Sequence, residues 1–229
     1  MAAQKPLGTA AARHGSGDAD LSVMIAAHDA LRHDLVALAK AAQGPGPRSP
    51  DRQRSVAAGW ELLKRQLHLH HTAEDDLVWP ALRERLGHSA EALSVLDEMQ
   101  AEHERIDPLL AAVDAEFASA ATPPEANPGA GQLADAVDAL TVTLTGHLTH
   151  EEKDALPLIG VALTAAQWRG VGFKIARSNG LSGSGEMFSW MLSAATPDQA
   201  RTILSQLPPP ARVLYKAVWK PRFDKTQRW

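Results

Sequence analysis

Leu21, Met24, Ile25, His28, Leu31, Leu35 and Leu38 recur at steps of three and four, the spacing that lines one face of an α-helix. The run begins near Asp20 and meets the breakers Gly44, Pro45, Gly46 and Pro47. A second helix is expected from Ser49, an N-cap followed by proline at the first helical position, through Trp60, Leu63, Leu67 and His70 to about Gly87. Ser89 can cap a third, which carries Leu93, Leu96, Met99, His103 and Ile106 and has Pro108 as a potential kink. After the proline-rich stretch 122–129, a fourth spans about Gln132 to Leu156 and is expected to close at Pro157. No segment alternates with period two. The pattern predicts an all-α protein, an antiparallel four-helix bundle over 19–162.

The flanks differ. Residues 1–18 are rich in Ala, Gly and Ser without periodicity and read as a mobile tail. Residues 163–229 read as a helical extension packed on the bundle. It has capping-box spacing at Thr164 and Gln167, a flexible joint at 180–185, and short helical pieces around 187–193, from Thr196 and from Pro210 to Trp219. The basic and aromatic run Arg212, Lys216, Lys220, Arg222, Lys225 and Arg228, interleaved with Tyr215, Trp219 and Trp229, is expected to dock on the acidic bundle, with a membrane or anion contact as the alternative, and the extension to cover the mouth of any site there.

Composition narrows the chemistry. A formal net charge of -4 over 229 residues offers no general positive field for nucleic acid. Cysteine is absent, which excludes disulfides, thiolate metal sites, iron–sulfur clusters and cysteine nucleophiles. No run is apolar enough for a membrane span, and the first residues have no signal-peptide core, so a cytoplasmic protein is expected. No phosphate loop, HExxH pair or nucleophile elbow occurs.

The ten histidines carry the signal. His70 and Glu74 are matched by His147 and Glu151: each pair reads His-x-x-x-Glu-acid, with a proline six residues after the glutamate. Upstream, His28 precedes His70 by 42 residues and His103 precedes His147 by 44. Each half of the bundle is thus a helical hairpin with one histidine on its first helix and His-x-x-x-Glu on its second. Residues four apart on a helix differ by about 40° in azimuth, so the imidazole and carboxylate converge. Two such hairpins about a pseudo-dyad offer four imidazoles and two carboxylates, a nitrogen and oxygen donor set suited to iron, manganese or zinc. Buried carboxylates without partners cost several kcal/mol, so inward-facing Glu74 and Glu151 require cations.

These residues resemble the hemerythrin-like (HHE) family: His28; His70-His71-x-x-Glu74-Asp75 with Trp79-Pro80; Glu102-His103-x-x-Ile106-Asp107; and His147-x-x-x-Glu151-Glu152 with Leu156-Pro157. The resemblance covers about residues 20–160. It implies a pair of iron ions with an oxo or hydroxo bridge, held by His28, His70, Glu74, His103, His147 and Glu151, and reactive toward O2, hydrogen peroxide or NO. The oxygen-carrying members have another histidine four residues before the one on the third helix; here that position is Met99, so no fifth imidazole is evident. His150, Asp107, His33 and His71 are further candidates for ligands or supporting groups, although His71, like His88, reads more simply as a surface or helix-end residue. Asp75 and Glu152 are placed to orient imidazoles or to face water.

The expected function is a non-heme di-iron protein that senses or detoxifies small oxidants in oxidative or nitrosative stress, with catalase-like turnover as one form. Reversible O2 or NO storage and oxygenation of a small organic substrate are the alternatives. Nothing in the chain selects between monomer and homodimer.

Overall fold

The computed structural model describes residues 19–43, 49–120 and 132–229; the expectations for the tail 1–18 and the breaker segments 44–47 and 122–129 lie outside these. Among the described residues there is no strand. Helix α1 spans Ser22–Gln43, α2 Pro50–Ala73, α3 Trp79–Leu86, α4 Ala90–Ala120, α5 Gln132–His150 and α6 Leu156–Ala162. The hydroxyl of Ser49 accepts from the Arg52 N–H and that of Ser89 from the Ala92 N–H, which satisfies donors that each first turn leaves free. Pro108 stays within α4.

The rod formed by α2, the turn 74–78 and α3 runs antiparallel to α4, as three cross-pairs along its length show: Arg83 to Asp97 (2.7 Å), Asp75 to His103 (3.1 Å) and Lys64 to Asp114 (2.6 Å). Helices α1, α2–α3, α4 and α5–α6 form the bundle.

One expectation fails. The fourth helical rod does not close at Pro157: a π turn, Glu151–Ala155, joins α5 to α6, and an equivalent turn, Glu74–Val78, joins α2 to α3. In each, the N–H after the turn donates to the carbonyl of the glutamate five residues back, from Leu156 to Glu151 and from Trp79 to Glu74. Proline has no N–H, and its ring collides with the carbonyl four residues earlier in a tight α-turn; the widened turn relieves this without breaking the rod. A third instance, Tyr215–Trp219, again precedes a proline, Pro221, six residues after its start.

The core is split. Leu31, Leu35, Leu38, Leu63, Leu67, Ile106, Val113, Leu140, Leu144 and Leu148 fill one hydrophobic layer. Val78, Trp79, Leu82, Leu86, Leu96, Met99, Ala155, Leu156 and Ile159 fill the other. On α2–α3, α4 and α5–α6 the histidines and glutamates fall between the two, so a polar layer is held between apolar ones.

After α6, Thr164 and Gln167 form the expected capping box at the start of α7, Ala165–Ala194. The joint expected at 180–185 is confined to one residue, where the chain kinks between two helical pieces. Only Gly180 leaves helical geometry, at φ 63°, ψ -178°, a conformation open to glycine, and 181–194 continues as helix. Thr196 caps α8, Pro197–Gln206, and α9, Pro209–Leu214, leads through the third π turn to α10, Lys220–Phe223. Trp190, Met191 and Ile203 enter the first hydrophobic layer. The indole N–H groups of Trp190 and Trp229 both donate to buried Asp34, at 2.8 and 3.0 Å. The extension also reaches α1 at Asp29, through Gln199, and Asp20 through Gln206, so it lies along the flank of that helix. The basic and aromatic run meets a bundle acid through Trp229, on Asp34, rather than through its cations: Arg212 and Arg228 donate to carbonyls of the extension itself and Lys220 pairs with Asp224, while Glu186 of the extension pairs with Arg65 of the bundle at 2.7 Å.

Candidate metal centre

The polar layer brings together all six residues on which the sequence argument rests. His28, Glu74 and Glu151 are buried, as are His103 and His147. On α2, His70 and Glu74 are one turn apart, and Nε2 of His70 lies 3.2 Å from Oε1 of Glu74. The other oxygen of Glu74 points to α4, 3.5 Å from Nε2 of His103. Across the pseudo-dyad, Oε2 of Glu151 lies 3.2 Å from Nε2 of His28 and 4.0 Å from Nε2 of both His70 and His147. Each glutamate therefore reaches the first-helix histidine of the opposite hairpin.

The ligating atoms fall into two groups, each within 4.8 Å: His28, His70, Glu74 and Glu151 in one, and His71, His103 and His147 in the other. His71 corrects the sequence reading. It is 8% exposed, its ring stacks on His103 with centroids 3.8 Å apart, and it meets His147 edge-on at 5.3 Å. A fifth imidazole is present, supplied by the second helix rather than the third, where Met99 lies in the apolar layer. The sequence held a signal for this: under the internal repeat His71 aligns with Leu148, a fully buried position. Along α2, His70, Glu74 and His71 sit at azimuths of about 0°, 40° and 100°, so Glu74 lies between the imidazoles of the two groups.

The other candidates stay outside. His150, about 60° from His147 on the far side from Glu151, is half-buried and bonds through Nδ1 to Oε1 of Glu102 at 3.0 Å. Asp107 and His33 are exposed, and His33 contacts Asp34 at 3.4 Å. His68 and His88 are exposed as well.

Around the cluster a ring of carboxylates accepts from the outward ring nitrogens. Nδ1 of His28 donates to Glu152 (2.8 Å), Nδ1 of His103 to Asp75 (3.1 Å), and Nδ1 of His147 to Glu102 (2.9 Å). Arg32 in turn holds Glu152 at 2.7 Å. A proton fixed on Nδ1 leaves the Nε2 lone pair directed inward, the arrangement that metal-binding histidines use. Asp75 and Glu152, each next to a repeated glutamate, thus serve the opposite hairpin. Glu102 has no counterpart in the first half, where Ala27 occupies its place, and no spacing rule singled it out.

Inside, partners run out. Nε2 of His71, His103 and His147 and both carboxylate oxygens of Glu74 and Glu151 are buried without a hydrogen-bond partner. Nε2 of His28 and Nε2 of His70, by contrast, share a hydrogen bond at 3.1 Å. Leaving one such group unsatisfied costs about 1–3 kcal/mol, so this concentration in one layer is costly unless cations fill it. The electrostatics report the same strain. Burial pushes Glu74 well above the usual carboxylate range, and the neighbouring Glu151 adds to this. Burial also opposes charge on His28, but Glu151 and Glu152 outweigh it and raise the imidazole to about 9. Glu151 is conversely drawn down to about 2, chiefly by His28, against the effect of burial. His70, buried beside His28, falls to about 3, and burial takes His71 well below its ordinary value. The donor set fits cations: imidazole nitrogens and carboxylate oxygens converge, and Nε2 of His71, His103 and His147 and both oxygens of Glu74 have no hydrogen-bond partner.

Fold and cluster together define a helical bundle with a cation-binding layer at its middle. Residues 19–159 match the family model described as hemerythrin HHE cation binding domain, and the chain belongs to this family. Neither the curated proteins nor the solved structures contain a match to the chain. Among the described residues, no helix is long and apolar enough to cross a membrane.

Proposed function

We propose that the chain is a non-heme di-iron protein that reacts with small oxidants, O2, hydrogen peroxide or NO, in oxidative or nitrosative stress. The observation that carries this reading is the set of unpartnered inward atoms on His71, His103, His147, Glu74 and Glu151, in a layer whose donors form two groups, with Glu74 of one reaching to 3.5 Å from His103 of the other. Bound iron would supply ferrous–ferric redox chemistry toward such molecules. His28 and His70 would hold one ion and His103 and His147 the other, with Glu74 and Glu151 reaching between them. Glu152, Asp75 and Glu102 fix the imidazole protons at Nδ1, and Arg32 anchors Glu152, so the donors are oriented before any ion arrives. The leucine-rich layers above and below exclude water and strengthen every charge interaction within the site.

The cluster is closed in by packed side chains, a setting that suits small reactants. Cavities of about 510 and 480 Å3 lie elsewhere, the larger walled by Leu181, Leu214, Val218, Trp219 and Phe223, and neither includes a residue of the cluster. A second reading, reversible O2 or NO binding, gains support from His71, because a fifth imidazole leaves fewer positions for turnover.

Metal analysis and stopped-flow spectroscopy of the anaerobically reduced protein test the proposal. Two irons per chain with oxygen evolution from peroxide are expected; a stable, reversible O2 adduct would select storage. A chain that takes up no iron would refute both.

A further inference from the structure

We propose that His71 is a metal ligand, completing with His103 and His147 a three-imidazole position beside the one formed by His28, His70 and the two glutamates. The inference rests on the two-ion reading above and goes beyond it, because the six ligands that the resemblance implies do not include His71 and no fifth histidine stands at Met99.

Four observations converge on it. The side chain is buried, and its Nε2 has neither solvent nor a hydrogen-bond partner. A neutral imidazole kept in a protein interior ordinarily satisfies both nitrogens, so an orphaned Nε2 needs an explanation. That nitrogen lies within 4.8 Å of the ligating atoms of His103 and His147, themselves unpartnered. The rings are packed so that none can turn away: His71 stacks on His103 at an interplanar angle of 11° and stands at 88° to His147. Finally, the internal repeat places Leu148 opposite His71. Leu148 is fully buried in the first hydrophobic layer, so the position demands an inward side chain of this size in both halves, and only one half uses it for an imidazole. The pseudo-dyad that relates His28 to His103 and His70 to His147 is broken at this point.

The consequence is an unequal pair. One position takes two imidazoles and the near oxygens of Glu74 and Glu151; the other takes three imidazoles and the far oxygen of Glu74. The vicinal pair His70-His71 divides between them, since a step of about 100° on α2 swings consecutive side chains to either side of Glu74.

The test uses the full chain with His71→Leu, a substitution for which Leu148 is the internal precedent, so the variant is expected to fold with unchanged helical circular dichroism. His71→Gln, which keeps polarity and bulk, serves as the second variant. Anaerobic titration with ferrous ion and Mössbauer spectra of the 57Fe-loaded proteins are the readouts. The wild type should bind two ions with two distinct Mössbauer signals. Both variants should keep the first ion and weaken the second by about tenfold or more, with one of the two signals altered. Variants that bind two ions with wild-type affinity and unchanged spectra would overturn the inference alone. A wild type that fails to bind a second ion would overturn the two-ion reading and this inference with it.

Discussion

Replacing Glu74 by methionine should make the metal-free protein more stable, whereas the same change at Glu151 should make it less stable. Both glutamates are fully buried in one layer, so exposure does not distinguish them. Their charge states do. Glu74 is held neutral by burial and by its neighbour, with both oxygens unpartnered. Removing those oxygens eliminates an unsatisfied carboxyl at about 1–3 kcal/mol per group, and methionine fills nearly the same volume, so a gain of about 2 kcal/mol is expected without metal. Glu151 is ionised against His28, 3.2 Å away. Removing one partner of a buried ion pair strands the other, at a cost of about 3–5 kcal/mol; Glu152 still contacts Nδ1 of His28, so the lower end applies. Urea unfolding in the presence of a chelator measures both. Ferrous ion should then reverse the first result, because a ligand at 1,000 times its dissociation constant stabilises the native state by about 4 kcal/mol, and Glu74→Met would forfeit much of that. A metal-free Glu74→Met variant less stable than wild type would refute the reasoning, as would equal effects at the two sites.

Two more outcomes follow from the same groups and from the extension. His28 gains its proton affinity in the folded state, so its stabilisation is complete below the unfolded value near 6.5 and is lost as pH rises through about 9; that of Glu151 is complete above about 4.5 and is lost as pH falls toward about 2. His70, His71 and His147 are lowered in the fold, so the unfolded chain gains protons over the folded one as pH falls below about 6.5. Chelated protein should therefore resist urea best near pH 6.5, and a maximum below about pH 5 or above pH 9 would contradict this. Asp34→Ala should cost about 2–4 kcal/mol by leaving the indole N–H groups of Trp190 and Trp229 without an acceptor, read by urea unfolding, and a cost below about 0.5 kcal/mol would show that water replaces the carboxylate.

The helices, their caps at Ser49 and Thr164, and six clustered side chains could be read from periodicity and the internal repeat. What escaped has physical reasons. Helix periodicity assumes 3.6 residues per turn, so neither π turn was visible, and Pro157 looked like a stop although the widened turn lets the rod pass. His71 read most simply as a surface or helix-end residue, whereas buried Leu148 at the matched place in the other half marks the position as interior. The extension meets the bundle acid Asp34 through the indoles of Trp190 and Trp229 rather than through its cations, because net charge does not say which acids face which bases: Glu186 of the extension supplies an ion pair with Arg65.

The wide turns have a consequence for how the bundle tolerates change. Beyond each glutamate the inward positions advance strictly by fours, through Val78, Leu82 and Leu86 in one hairpin and Ala155, Ile159 and Leu163 in the other. In an ordinary α-helix three such steps would drift about 120° around the axis and carry the last leucine toward solvent. The extra residue accommodated in the turn absorbs that drift, so each acid marks the seam between two helical phases. Removing a single residue such as Asp76 would rotate the whole distal half by about 100°, and with it half of the lower apolar layer, while leaving the composition almost untouched.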